Sequence, residues 1–97
     1  MIYFFHSEAE SEHLESVKYY ESRRAGLGAR YLQEFDDVMA RVLERPLSFR
    51  VERYPDIRRA FLKAFPYQLV YRVVGVDVQI LAVAHTRRRP GYWSGRL

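Results

Sequence analysis

The sequence predicts an α+β domain in which a helical hairpin packs on one face of a mostly antiparallel sheet, in the order β-α-α-β-β-β. Between residues 8 and 44, apolar side chains recur at the three- and four-residue spacing of amphipathic helices. After residue 57 they alternate instead, along short segments separated by Pro and Gly. The chain has 97 residues, enough for one core, so we expect a single domain over residues 1–97.

The N-terminal part is predicted to be a strand followed by a helix. Ile2–Phe5 is apolar at every position, so we expect a strand that is covered on both faces within the sheet. Ser7 and Glu10 have the spacing of a capping box and predict a helix over residues 8–24. The side chains expected on its buried stripe are Ala9, His13, Leu14, Val17 and Tyr20.

Gly26-Leu27-Gly28 interrupts the helical pattern and predicts a tight connection between two helices. The second helix is expected over residues 29–44 and to end before Pro46. The side chains expected on its buried stripe are Leu32, Phe35, Val38, Met39, Val42 and Leu43. Two antiparallel helices on a short connector can cover one face of a sheet.

Residues 47–56 are polar and predict a loop with at most a short extended piece over residues 49–53. Three strands are expected to follow, over residues 57–64, 67–74 and 76–84. The face opposite the helices is expected to be uncovered. Depending on the strand register, it carries side chains such as Arg59, Lys63 and Arg72.

The net charge of +4 is unevenly distributed. Residues 1–56 hold eight Lys/Arg against eleven Asp/Glu, whereas residues 57–97 hold eight Lys/Arg against the single acid Asp77. A basic half of this kind predicts a surface that meets phosphates or an acidic protein partner, and solubility alone is the alternative. The apolar run before Glu8 is too short for a signal peptide or a membrane span, so a cytoplasmic protein without membrane contact is expected.

The side chains that could take part in catalysis or binding follow the last predicted strand. His85 can act as a general acid or base, arginines can hold phosphate, and Tyr92 and Trp93 can stack on bases. Together they suit metal-independent RNA cleavage in which the 2′-hydroxyl attacks, but the same residues also suit a structural or partner-binding role. The absence of Cys excludes thiolate chemistry, and the three scattered His residues predict no zinc site. No nucleotide-binding glycine motif is present, and no metal or cofactor is expected.

Several short segments of the sequence, taken in order, resemble the RelE/ParE toxin superfamily. They are Ile57-Arg58-Arg59, the stretch 65–73 (FPYQLVYRV), and the closing stretch 83–88 (VAHTRR) with Pro90 and Tyr92-Trp93. The tyrosine pair in residues 17–21 (VKYYE), Gly26-Leu27-Gly28 and Phe35 are similar to the ParE-type, or plasmid-stabilisation, branch. The resemblance extends from about Ser7 to Trp93.

The resemblance implies the toxin of a type II toxin–antitoxin pair. Such a toxin forms a hetero-oligomer with a cognate antitoxin, which we expect to have an acidic, partly disordered segment. A ParE-like member inhibits growth by poisoning DNA gyrase and need not be an enzyme. The alternatives are a RelE-like ribosome-dependent endoribonuclease that cleaves mRNA, and a nontoxic member that only binds a partner. Whether the protein is an enzyme is left open.

The resemblance also assigns candidate site residues. The residues that could serve RNA cleavage, if the protein is a nuclease, are His85, Arg58, Arg72, Arg88 and Tyr92. The residues expected to contact a partner or target are Arg59, Lys63, Arg87, Arg89 and Trp93.

Overall fold

The computed structural model describes residues 1–97 and confirms the predicted α+β class, with two helices on one face of a five-stranded sheet. The elements are β1 (Tyr3–Phe5), α1 (Ser7–Arg23), α2 (Leu27–Glu44), β2 (Val51–Arg53), β3 (Ile57–Phe61), β4 (Tyr67–Val74), β5 (Asp77–His85) and a closing 3₁₀ helix, η1 (Tyr92–Arg96). The strand order is β1-β5-β4-β3-β2, and every pair is antiparallel except β1 with β5. The fifth strand, β2, forms within the short extended piece expected over residues 49–53.

β1 lies at the edge of the sheet, so the prediction of a strand covered on both faces is wrong. Tyr3 and Phe5 pack into the core beneath the helices, and each ring lies close to Phe35. Phe4 points to the opposite side and is 40% exposed. One face of this apolar run is buried beneath the helices, and the other face is exposed at the edge of the sheet. Composition alone does not distinguish this edge strand from a strand that is buried on both faces.

The first helix begins differently from the capping-box prediction, which is wrong. His6 is the N-cap, and its Nδ1 accepts a hydrogen bond from the backbone N–H of Glu8 at 3.1 Å. The backbone N–H of His6 still donates to the carbonyl of Ile80 on β5, so His6 is the last extended residue. Ser7 is therefore already within the helix, where its side chain cannot act as the N-cap.

The predicted helical stripes are correct at most positions but include two exposed leucines. Leu14 of α1 is 54% exposed and Leu32 of α2 is 36% exposed, so their assignment to the buried faces is wrong. The core beneath the helices is instead built from narrower stripes that contain Ala9 and His13 on α1 and Phe35 on α2.

The predicted tight connection between the helices is present, and Gly28 explains how closely they approach. A Cβ atom on Gly28 would lie 2.9 Å from the backbone carbonyl oxygen of Val17 on α1. The Glu21 carboxylate of α1 accepts hydrogen bonds from the N–H groups of Gly26 and Gly28 at 3.0–3.1 Å. Glu21 therefore satisfies amide groups at the start of α2 and joins the two helices.

A second, smaller apolar cluster lies on the face opposite the helices. Trp93 of η1 is 3% exposed and packs there against Ile57, Val70, Leu81 and Ala82. The chain after β5 therefore covers part of the face that was expected to be uncovered. This folding-back also brings the basic C-terminal stretch close to α1.

Candidate functional site

A β-bulge in β5 determines which way the end of that strand faces. Val70 pairs with Ala82 while the next residue, Tyr71, pairs with Ile80, so Leu81 is an extra residue in β5. Before the bulge, Gln79 lies on the helix-free face beside Arg72, whose Nε donates to its side-chain oxygen at 2.9 Å. The extra residue reverses the alternation, because successive side chains of a strand point to opposite faces.

As a result of the bulge, His85 faces the helices. It lies opposite Tyr67 in the sheet, and the two rings meet edge to face with centroids 5.4 Å apart. The backbone N–H of Arg87 donates to Nδ1 of His85 at 3.1 Å. That bond fixes the ring and assigns Nδ1 as an acceptor, so Nε2 carries the remaining proton of a neutral imidazole.

His85 lines an open groove of about 250 Å³ between α1 and the end of β5. The residues lining this groove are Glu12, Glu15, Ser16, Tyr19, Tyr67, Val83, His85 and Arg88. Of the five residues predicted to serve RNA cleavage, only His85 and Arg88 lie here. The groove combines one imidazole and one guanidinium with two carboxylates and two tyrosine rings, so it offers hydrogen-bond donors and acceptors and rings on which a planar group can stack.

Tyr92 is engaged in a network centred on Glu12. The Tyr92 hydroxyl donates to Glu12 Oε2 at 2.7 Å, and Arg96 donates to both carboxylate oxygens at 2.9 and 3.0 Å. The backbone N–H of Val83 donates to Glu12 Oε1 at 3.0 Å. The pairing of β1 with β5 ends at Ile80. Beyond that point the side chains of Glu12 and Arg96 bind the backbone of β5 in place of a neighbouring strand. Arg96 donates to the carbonyl of Leu81 at 2.9 Å.

This network shifts the pKa values of Tyr92, Glu12 and Arg96. Burial raises the pKa of the Tyr92 hydroxyl, and the neighbouring Glu12 carboxylate raises it further, so Tyr92 stays protonated and is a poor base. Burial alone would raise the pKa of Glu12. The hydrogen bonds from Arg96, Tyr92 and Val83 outweigh burial and hold that pKa below its usual value. Glu12 is therefore a charged anchor at neutral pH.

Arg87, Arg88 and Arg89 form an exposed basic ridge immediately after β5. The guanidinium carbon of Arg88 lies 3.9 Å from the centre of the Tyr92 ring, a cation–π contact that holds it between the groove and η1. The side chains of Arg87 and Arg89 form no ion pair and no hydrogen bond within the chain. The ridge therefore presents two uncompensated charges to a partner.

Arg58 and Arg72 lie far from His85. Arg58 faces the connection between α2 and β2, where it donates to the carbonyl oxygen of Phe49 at 2.8 Å. Arg72 is on the opposite face of the sheet, five residues along β4 from the position facing His85, which corresponds to about 17 Å of strand. The five residues predicted to serve RNA cleavage are thus distributed over both faces of the sheet.

The residues expected to contact a partner also separate. Arg59 lies on the helix-free face, where it forms a 3.0 Å salt bridge with Glu52 and lies over the Phe61 ring. Trp93 is buried beneath Arg53, whose guanidinium carbon is 4.6 Å from its ring centre, so Trp93 lies beneath the surface. Lys63 is not on the helix-free face, because the turn after β3 brings it against α2.

Sequence reasoning missed Glu12 and Arg96 as members of this site. Glu12 is one of four acids early in α1, and the local sequence does not distinguish it from Glu8, Glu10 and Glu15, which suit a solvated helix face. Arg96 lies 84 positions away, and no local pattern connects the two residues. The available signal was Arg96 itself, a cation shortly after the aromatic pair Tyr92-Trp93, for which a structural role was one of the alternatives.

No group of three or more His, Asp or Glu side chains comes together in an arrangement that could hold a metal ion. Neither helix combines the length and apolar character that crossing a membrane requires. The features that remain for function are the groove with His85 and Arg88, the basic ridge, and the buried network that joins them to α1.

Comparison with known proteins gives a consistent result. A family model described as the ParE toxin of the type II toxin–antitoxin system parDE matches residues 3–90. A solved structure described as the chromosomal ParDE TA system from P. aeruginosa has a similar fold, with a TM-score of 0.69 at 16% sequence identity. That match covers 87% of this chain and 92% of the other. No curated protein sequence matches this chain.

Proposed function

Because the chain belongs to the family of ParE toxins of type II toxin–antitoxin systems, we propose that it stops growth by binding DNA gyrase and that a cognate antitoxin neutralises it. The separation of the candidate nuclease residues is the observation that favours gyrase over RNA as the target. Arg58 and Arg72 lie on different faces of the sheet, and the Tyr92 hydroxyl is bound to Glu12. General acid–base catalysis needs its groups within hydrogen-bond reach of one substrate, and this distribution favours a binding protein.

The basic ridge is the proposed contact with the target. Arg87 and Arg89 are exposed and unpaired, while Arg88 is held by Tyr92 and so keeps the segment close to η1. Exposed charges of one sign accelerate association with an oppositely charged partner and specify its orientation. The antitoxin is proposed to carry an acidic, partly disordered segment, which complements the excess of cations after residue 57.

We expect the purified protein to inhibit DNA supercoiling by gyrase. The double variant Arg87→Glu, Arg89→Glu should raise the inhibitory concentration at least ~10-fold, because reversed charges repel a surface that attracted arginine. The control is Lys18→Glu with Arg24→Glu, which makes the same change in net charge at exposed positions of the helical hairpin and should leave inhibition unchanged. Unaffected supercoiling at saturating protein, together with an arrest of translation, would contradict the proposed target.

A ribosome-dependent ribonuclease is the second candidate, because His85 and Arg88 share one groove. If His85 is a general acid or base, His85→Ala should lower cleavage of ribosome-bound mRNA by about 10²-fold. Primer extension on messages from cells that express each protein measures this rate. Equal cleavage by His85→Ala would remove the imidazole from the mechanism, and no cleavage by the unmodified protein would leave gyrase as the favoured target.

A further inference from the structure

The Tyr92 ring joins the basic ridge to the rest of the molecule. The guanidinium carbon of Arg88 lies 3.9 Å from the ring centre, and that of Arg96 lies 5.1 Å from it. The tyrosine hydroxyl donates to Glu12 on α1 at 2.7 Å, and Tyr92 also packs against the apolar cluster that contains Trp93. One half-buried side chain therefore contacts the ridge, η1, α1 and the sheet.

Arg88 depends on this ring for its orientation. The residue is exposed, and its guanidinium group forms no ion pair and no hydrogen bond within the chain. An arginine without a partner samples many rotamers, so a protein that binds it loses binding free energy when it orders one of them. The contact with Tyr92 orders Arg88 before a partner arrives.

Two turns fix the backbone of the ridge. The N–H of Arg88 donates to the carbonyl of His85 at 2.9 Å, and the N–H of Tyr92 donates to the carbonyl of Arg89 at 3.3 Å. Gly91, within the second turn, has a φ of 75°, a left-handed conformation that glycine adopts without strain. These turns bring the side chain at position 88 to the ring at position 92, four residues later.

The two parts of the Tyr92 side chain have different surroundings. The hydroxyl is bound to Glu12, and burial together with that carboxylate raises its pKa, so it stays protonated and cannot serve as a base at neutral pH. The ring presents a face to Arg88 instead. Substitutions that keep one part and remove the other can therefore separate their roles.

We infer that Tyr92 is a positioning residue for the target: its ring holds Arg88, and through Arg88 the ridge, in the orientation that meets the target, while its hydroxyl takes no part. The identity of the target as gyrase rests on the proposed function. In this arrangement Arg87 and Arg89 contact the target directly, and Tyr92 acts through Arg88. A role of the hydroxyl in RNA cleavage would require the opposite, that the ring without its hydroxyl is inactive.

Tyr92→Phe and Tyr92→Leu separate the ring from the hydroxyl. Both variants lose the hydrogen bond to Glu12, and only phenylalanine keeps an aromatic face for Arg88. We expect Tyr92→Phe to inhibit supercoiling and arrest growth as the unmodified protein does. Tyr92→Leu should raise the inhibitory concentration about 5-fold, the scale of a cation–π contact at a partly exposed position.

The matched control is Phe61→Leu. It also replaces a ring that lies beneath an arginine, but that arginine is Arg59 on the helix-free face and not Arg88 of the ridge. Inhibition of supercoiling and arrest of growth should be unchanged in this variant. Circular dichroism and urea denaturation check that each variant is folded at the temperature of the assay.

A double-mutant cycle distinguishes positioning from a general loss of structure. If Tyr92 acts through Arg88, adding Tyr92→Leu to Arg88→Ala should cause no further loss of inhibition, because the contact is already absent. Proton–nitrogen correlation spectra test the contact without any target. The Arg88 side-chain resonances should show an upfield ring-current shift in the unmodified protein and in Tyr92→Phe, and should lose that shift in Tyr92→Leu.

Four results would overturn the inference: equal losses in Tyr92→Phe and Tyr92→Leu, full inhibition by Tyr92→Leu, a further loss when Tyr92→Leu is added to Arg88→Ala, or no ring-current shift in the unmodified protein. A protein that spares gyrase but arrests growth would refute the proposed target alone. The same comparison of variants in the growth assay would then still decide the role of Tyr92. A protein that neither inhibits gyrase nor arrests growth would refute both the target and the role of the ridge.

Discussion

Replacing Trp93 with alanine should lower the free energy of unfolding by about 3–5 kcal/mol, the usual cost of removing a large buried aromatic side chain. The Trp93 ring is 3% exposed and fills the space between η1 and the helix-free face of the sheet, against Val70, Leu81 and Ala82. The surrounding strands cannot close a cavity of that size, and the cation–π contact with Arg53 is lost as well. Urea denaturation followed by circular dichroism measures the change.

Tyr54→Ala provides the matched control, since it also removes a large aromatic ring but at a position that is 86% exposed. Its effect should be within about 0.5 kcal/mol of zero. If Trp93→Ala had an equally small effect, η1 would not be packed on the sheet in solution. Trp93 would then be available as the partner-contacting side chain that the sequence suggested.

The layers of the fold could be predicted because each depends on local periodicity. The stripe that includes Phe35, Val38 and Val42 places α2 on the sheet without reference to any distant residue. Pro66 and Gly75 likewise mark the ends of β4, whose predicted bounds agree with the structure. Such signals lie within a few residues of the feature that they indicate.

The orientation of His85 could not be predicted, since it depends on one extra residue in β5. A regular strand through Gln79 and Leu81 would put His85 on the same face as Arg72, which favours the nuclease interpretation. The bulge at Leu81 turns His85 towards α1 instead. Nothing in the apolar stretch around Leu81 distinguishes a bulge from a continuous strand, because all of those side chains are buried.

The bulge and the tail together explain why the candidate site is divided. The bulge directs His85 to the helix side, while Trp93 holds η1 on the other side and Tyr92 extends back to Glu12. The basic ridge crosses from one side to the other between these two points. Its position is therefore determined by buried contacts at both ends, which suits a surface that must present charges in a defined orientation.

Glu12→Gln should lower the free energy of unfolding by about 3 kcal/mol at neutral pH, the scale expected when one member of a largely buried ion pair is removed. The side chains of Glu12 and Arg96 are only 18% and 10% exposed, so water compensates the remaining Arg96 charge poorly. The amide also cannot accept every hydrogen bond that the carboxylate receives from Arg96, Tyr92 and Val83. Urea denaturation of both proteins measures the difference.

The pH dependence separates the charge of Glu12 from its shape. The pKa of Glu12 in the folded protein is held below the usual value of 4.5. The ionised carboxylate therefore adds to the free energy of unfolding above pH 4.5, and this contribution disappears as the pH falls through the folded-state pKa. The stability difference between the unmodified protein and Glu12→Gln should therefore shrink in acid. Glu15→Gln, at an exposed position of the same helix with no ion pair, should change stability little at any pH. If the difference in the free energy of unfolding between the two proteins stayed constant in acid, the effect of Glu12→Gln would be due to packing. The ion pair with Arg96 would then not contribute to holding η1 against α1.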